Sequence, residues 1–341
     1  MYSCASDADC DSGQFCAPAG LGSPSITWST CAPADCSSDA DCASGECGLS
    51  VWNDGCFDNV NLLCRTEADG CRVDGDCAST EQCGVLEGAW DCQTTNCAIG
   101  RPLSCEGEPR KAPLARVAGW SEAITLRLPE DAARRERLAQ RWADIAAMEH
   151  ASVASFARFT LELMALGAPA ELLFATQQAA ADEVRHAQLG YGIASALAGQ
   201  TLGPGPLSLQ GIAPATERRA FARALLTEAC VGESLGAAEA MEAAAGCADP
   251  GLRRALEAVA ADEARHAALA WRALGWVLQG SDAALRAELR ADAEAAIAAL
   301  TRVPELEHAP ELGLLGGAET RSSRERAARQ VLRPLLDAAL A

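Results

Sequence analysis

Apolar positions in the second half of the chain recur at steps of four and three. Over residues 130–166 one stripe reads Leu138, Trp142, Ile145, Glu149, Ser152, Phe156, Phe159 and Leu163. That spacing keeps side chains on one helical face, so it predicts a long amphipathic helix stopped by Gly167. A second stripe, over 169–197, reads Leu172, Thr176, Ala179, Glu183, His186, Gly190, Ile193 and Leu197. A third, over 216–245, includes Leu226, Cys230, Glu233, Gly236 and Ala240. The fourth, over 250–278, reads Leu252, Leu256, Val259, Glu263, His266, Ala270, Ala273 and Val277, and steps like the first. Two further amphipathic stretches, 282–301 and 319–340, are separated by Pro304, Pro310 and Gly316-Gly317. They are expected to cover the other helices or to form a homodimer contact.

The connections suit a bundle. Those near Gly167 and near 246–251 are short, as antiparallel neighbours require. Residues 199–214 form the one long link, rich in Gly and Pro. Sixteen extended residues reach roughly 50 Å, enough to return along the length of a bundle. The expected fold is an all-α four-helix bundle over 129–280 with a helical extension over 281–341.

The first 105 residues show no such period. Fifteen of the 17 cysteines lie there, in three copies of one rhythm: Cys4-x5-Cys10-x5-Cys16, Cys36-x5-Cys42-x4-Cys47 and Cys71-x5-Cys77-x5-Cys83. Ser6-Asp7-Ala8-Asp9-Cys10 recurs as Ser38-Asp39-Ala40-Asp41-Cys42, and more loosely as Val73-Asp74-Gly75-Asp76-Cys77. Units this small cannot bury a core and need cross-links. Zinc and iron–sulfur sites favour Cys-x2-Cys pairs, which are absent here, so disulfides are the expectation. Fifteen is odd, which leaves one N-terminal thiol without an obvious partner; Cys247 is one candidate. Residues 106–128, with Pro109, Arg110-Lys111, Pro113 and Gly119, read as a linker after a small, irregular disulfide-rich domain over 1–105. Cysteine density places the protein in an oxidising compartment: extracellular, cell-surface or periplasmic. No signal-peptide pattern is visible.

Charge excludes some partners. The chain carries a net −19, of which residues 1–105 hold −13. An acidic protein is a poor match for nucleic acid or an anionic membrane. No apolar run is long enough to span a bilayer.

The candidate chemistry lies on the helical stripes. Asp182-Glu183-Val184-Arg185-His186-Ala187 recurs as Asp262-Glu263-Ala264-Arg265-His266-Ala267. Each copy sets Glu and His three residues apart, on one helical face. Glu149 precedes the first copy and Glu233 the second, so the bundle reads as a duplicated Glu…Glu-x-x-His unit. Four carboxylates and two imidazoles facing inward cost several kcal/mol per bare ion. Two divalent cations neutralise the four carboxylates. A carboxylate-rich set with one His per ion suits iron or manganese better than zinc or copper.

On these motifs, residues 130–279 resemble the ferritin-like di-iron carboxylate superfamily. The Asp-Glu-x-Arg-His form resembles its oxygenase and ribonucleotide-reductase branches. The resemblance implies terminal ligands Glu149 and Glu233, bridging ligands Glu183 and Glu263, and one metal on each of His186 and His266. It further implies that Asp182 accepts a hydrogen bond from His266 and Asp262 from His186, with Arg185 and Arg265 tied into that network. His150 reads as a supporting or interhelix residue and Cys230 as core. Glu228 has no clear place, and Tyr191 lies off the ligand stripe. Small residues Ser152, Gly190, Gly232 and Gly236 suggest room for a pocket.

Three functions are compatible with this reading. One is an O2-activating oxidase or hydroxylase on an unknown substrate, needing an electron donor. Another is a ferroxidase or peroxide-disproportionating enzyme needing no reductase. The last is a non-catalytic exported metal-binding module.

Overall fold

A computed structural model of the chain describes all residues except 1–3, 11, 19–20, 22–28, 54–57, 78–80, 87–88, 95–100, 106–107, 122–123 and 304–305. It divides into two compact units, Met1–Cys97 and Ala98–Ala341.

The first unit contains three antiparallel hairpins. Strand β1 (Gln14–Ala17) pairs with β2 (Thr30–Pro33), β3 (Cys47–Asn53) with β4 (Asp58–Cys64), and β5 (Glu81–Leu86) with β6 (Ala89–Thr94). A single 3-10 turn precedes each: Asp7–Asp9, Asp39–Asp41 and Asp74–Asp76. These turns explain the repeated Asp-x-Asp-Cys text. The first Asp accepts the backbone N–H of Cys16, Cys47 or Cys83, each at 2.8 Å. The second caps the turn. Asp9 accepts from the N–H groups of Ala5 and Ser6, Asp41 from Ser37 and Ser38, and Asp76 from Arg72 and Val73, at 2.7 to 3.0 Å. Among the described residues, every repeat then carries two disulfides. Cys4–Cys16, Cys36–Cys47 and Cys71–Cys83 reach the first strand. Cys10–Cys31, Cys42–Cys64 and Cys77–Cys92 reach the second. Cysteines so bonded are closed to a metal. Cys56, Cys97 and Cys105, and with them the odd thiol, lie outside the described residues and side chains.

Neighbouring repeats interlock through glycine. Trp52 lies on Gly84 and donates its indole N–H to the Val85 carbonyl at 3.1 Å. Trp90 lies on Gly48, with the Arg65 guanidinium 3.2 Å from its ring centroid. A side chain at either glycine would occupy the space of the indole.

The second unit is mostly helical. Strands β7 (Ser104–Cys105) and β8 (Glu108–Pro109) form a small hairpin ahead of β9 (Leu114–Ala115). Helix α1 (Ala132–Ala165) begins where the Asp131 carboxylate accepts the N–H of Ala133. Gly167, with φ 73°, turns the chain into α2 (Ala170–Ala198). Residues 199–217 follow without a helix, but Gly203–Pro204 (β10) pairs with β9. Helix α3 (Arg218–Ala224), a π-helical segment Leu225–Val231 and α4 (Gly232–Gly246) run on without a break. Asp249 caps α5 (Pro250–Val277), accepting from the N–H groups of Gly251 and Leu252, with Pro250 at its first position. Helix α6 (Ala283–Leu300), α7 (Gly317–Ala327), a second π segment (Ala328–Leu332) and α8 (Arg333–Ala339) complete the chain.

Helix α1 packs along α2 and α4 along α5, while α2 also meets α5. Burial follows the sequence stripes. One apolar cluster joins Phe156, Phe159, Leu163, Phe221, Leu226 and Leu274. Another joins Leu138, Trp142, Ile193, Leu252, Leu256 and Leu312. Each such side chain contributes about 1.5–3 kcal/mol when fully buried. Between these two clusters the same helices turn polar residues inward.

One feature departs from the sequence expectation. The stretch expected as a linker over 106–128 belongs to the helical unit, because it has apolar side chains to bury. Leu114, Ile124 and Leu126 pack against the second cluster, and Trp120 packs beside Tyr191. Just before it, the Leu103 N–H donates to the Ala151 carbonyl at 3.2 Å. The C-terminal helices lie on the others: buried Arg324 of α7 pairs with Glu239 of α4 and donates to the Leu300 carbonyl. Among the described residues no helix is long and apolar enough to cross a membrane.

Candidate metal centre

Each candidate ligand sits mid-helix, where the backbone is fully hydrogen-bonded and the side chain direction is set by the helix face. Glu149 comes from α1, Glu183 and His186 from α2, Glu233 from α4, and Glu263 and His266 from α5. All six are 0 to 5 % exposed. The structure gathers them. Glu263 Oε1 lies 3.1 Å from His186 Nδ1, and its Oε2 lies 3.9 Å from His266 Nδ1. Glu183 mirrors this, with Oε1 3.0 Å from His266 Nδ1 and Oε2 3.6 Å from His186 Nδ1. Both carboxylates therefore stand between the two imidazoles. Glu149 Oε2 is 3.9 Å from His186 Nδ1. Glu233 groups with Glu263 and His266, with atoms within 4.8 Å of one another.

The outer ring nitrogens point to a second layer, and the pairing is crossed. His186 Nε2 lies 3.2 Å from Asp262, and His266 Nε2 lies 3.2 Å from Asp182. Arg265 reaches both aspartates, Asp182 at 3.2 Å and Asp262 at 2.5 Å. Arg185 pairs with Asp182 and comes within 3.9 Å of Asp262. Both guanidinium groups are exposed to solvent, so each imidazole is joined to the surface through one carboxylate.

This donor set fits cations. One or both carboxylate oxygens of Glu149, Glu183, Glu233 and Glu263, and Nδ1 of both imidazoles, are buried with no hydrogen-bond partner among the described residues. Such orphans are costly in a closed interior. With Nε2 directed at an aspartate, Nδ1 is the nitrogen left for a metal, the usual arrangement of a ligating imidazole. Protons otherwise have to balance the charge. Burial pushes the Glu149 and Glu233 carboxyls well above their ordinary range, and the charges of Glu183 and Glu263 push further. Burial pulls His186 down, but Glu183 and Glu263 hold it at about 12. Burial would raise Glu183, yet the two imidazoles bring it to about 2. The buried Glu/His group could hold a metal ion.

Other residues singled out by sequence fall outside the cluster. His150 is half-buried, edge-on to Trp120 at 4.9 Å between centroids. Tyr191 is buried against Ala146 and Ala187. Cys230 and Cys247 are buried free thiols, so Cys247 is not bonded to an N-terminal cysteine. Glu228 lies in the π segment, paired with Arg158. Gly190 does not open a pocket. A Cβ there would meet the Ala146 Cβ at 2.8 Å, so this glycine serves the close approach of α1 and α2.

Spacing did not point to Arg101 as a neighbour of the site. The Phe156 ring stands edge-on to His266 at 5.3 Å. Arg101 is fully buried, 4.1 Å from the Phe159 centroid. Phe156 was visible as a seam residue one helical repeat from Glu149, but no pattern marks Arg101. The chain matches no protein-family model, no curated protein and no solved structure.

Proposed function

We propose that residues 130–279 form a ferritin-like four-helix bundle binding two iron or manganese ions, and that the protein is an O2-activating oxidase or hydroxylase. One observation carries this reading: six buried donor side chains from four helices converge with their metal-facing atoms unpartnered. Glu149, Glu183, Glu233 and Glu263 would supply the carboxylates that hold the ions, and His186 and His266 would each supply an imidazole nitrogen. A redox-active pair bound there supplies electron exchange with dioxygen or peroxide. The protein's own part is to bind, orient and shield. Asp262 and Asp182 accept from His186 and His266 and fix the rings. Arg265 reaches both aspartates and Arg185 pairs with Asp182, which keeps the two carboxylates in place behind the rings. Phe156 covers the His266 ring and keeps water from that side.

The second reading is a ferroxidase or peroxide-disproportionating activity that needs no reductase. The disulfides favour it, because they are compatible with an extracellular setting, where reductases are scarce. Metal analysis of purified protein comes first, with about two ions per chain expected. Substrate-dependent O2 uptake with an added reductant supports the oxidase. Turnover of Fe(II) or H2O2 by protein alone supports the second reading. Bound metal without turnover in either assay leaves a metal-binding module.

A further inference from the structure

The duplicated ligand set suggests two equivalent metal positions, and two observations make them different. The first is donor number. Glu149, Glu183, His186 and Glu263 each present an atom within 4.8 Å of the others, whereas the second group at that spacing is Glu233, Glu263 and His266 alone. The second is Arg101. It precedes α1 in the chain, beside buried Leu103, and is 1 % exposed. Its guanidinium carbon lies 4.1 Å from the Phe159 centroid and 5.8 Å from that of Phe156. Phe156 in turn meets His266 edge-on at 5.3 Å, so Arg101 stands one aromatic ring away from His266.

Burial lowers the pKa of the Arg101 guanidinium, and the charges of Glu228, Arg158, Glu162 and Glu233 act on it in turn. Arg158 is already engaged, paired with Glu228 and 3.6 Å from Glu162, which also accepts the Ala215 N–H at 3.0 Å. The Arg101 Nε has no partner among the described residues.

We propose that Arg101 makes the two metal positions unequal, so that a divalent cation fills the Glu149–His186 position first and the Glu233–His266 position second, more weakly. The inference rests on the dimetal reading above. Like charges repel strongly where water does not screen them. Even offset by Glu162 and Glu228, a buried cation beside one position is expected to separate the two affinities by about tenfold or more.

The test is a titration of metal-free, full-length protein with Co(II), read by visible absorption in competition with a chelating dye. The native chain is expected to bind in two steps. Arg101→Gln brings the steps together, and Arg101→Lys keeps them apart. Glu233→Gln removes the weaker step, and Glu149→Gln removes the tighter one. This second pair decides the order of filling if Arg101→Gln does not fold, which a thermal melt of the metal-free variant reports. Two equal steps in the native chain, an unchanged gap in folded Arg101→Gln, or loss of the tight step in Glu233→Gln overturns the proposal. Absence of Co(II) binding by the native chain overturns the dimetal reading itself.

Discussion

At the scale of single residues, the aspartates behind the imidazoles set how firmly the rings are held. Asp262 is partly exposed, so Asp262→Asn should fold normally. It replaces a carboxylate acceptor at His186 Nε2 with a neutral amide. Metal affinity is expected to fall about 10- to 100-fold, the usual effect of such a loss, measured by competition with a chelator. The ligands themselves also predict a pH dependence. Glu149 and Glu233 keep their protons to higher pH than ordinary carboxyls, and His186 keeps its proton up to about 12. A cation has to displace these protons, so its affinity rises with pH and weakens in acid. Adding metal to weakly buffered apoprotein should therefore acidify the solution, and an indicator dye that records no proton release would contradict the assignment. Of these residues, the sequence shows the six inward ones plainly. A Glu or His on an apolar stripe is anomalous, and finding the anomaly twice in one motif makes it interpretable. Arg101 is different. It lies among cysteines and prolines with no period, and its burial depends on Phe156 and Phe159, more than fifty positions later.

At the scale of elements, long helices are legible because their period is sustained, and their observed limits fall within a few residues of the expected ones. The π segment Leu225–Val231 is not. Leu226, Cys230 and Glu233 continue the steps of four and three through it, so a wider turn leaves no mark on the stripe. The N-terminal repeats show the reverse case, in which a motif is plain and its cause is not. Asp-x-Asp-Cys announces a recurring unit, but only the geometry reveals that its carboxylates replace the hydrogen bonds a longer helix would make. That substitution has a measurable acid limit. Backbone and side-chain donors of Ser37 and Ser38 hold Asp41 at about 2, below its ordinary 3.8. Its contribution to stability is therefore fully present above the ordinary value and is lost as pH falls toward about 2. Asp9 and Asp76 are lowered in the same way by the N–H groups they accept. The protection of the Ser37 and Ser38 amides, taken relative to an unstructured peptide at the same pH, should be present at pH 5 and lost near pH 2. In Asp41→Asn, which lacks the charge, exchange should be faster already at pH 5.

At the scale of the whole molecule, the change from cysteine-rich to helix-forming text marks two kinds of stabilisation. The structural division falls between residues 97 and 98, because Arg101 and Leu103 are buried against α1 although Cys105 continues the cysteine-rich text. The first unit relies on its bridges. Among the described residues, the buried apolar cluster around its first hairpin is Ala17, Ala32 and Val60, and each hairpin carries two disulfides. Losing a native disulfide from so small a unit costs about 2–5 kcal/mol, comparable with its whole stability. The helical unit instead has two large apolar clusters and a smaller one around Tyr191, and its Cys230 and Cys247 are already free thiols. All six candidate ligands lie within it. A strong reductant should therefore separate the two. Treated with excess phosphine at neutral pH, the full chain is expected to lose amide protection across residues 4–94, while helical ellipticity and bound metal stay near their oxidised values. Metal leaving in step with the disulfides would instead make the bridged unit part of what holds the site together.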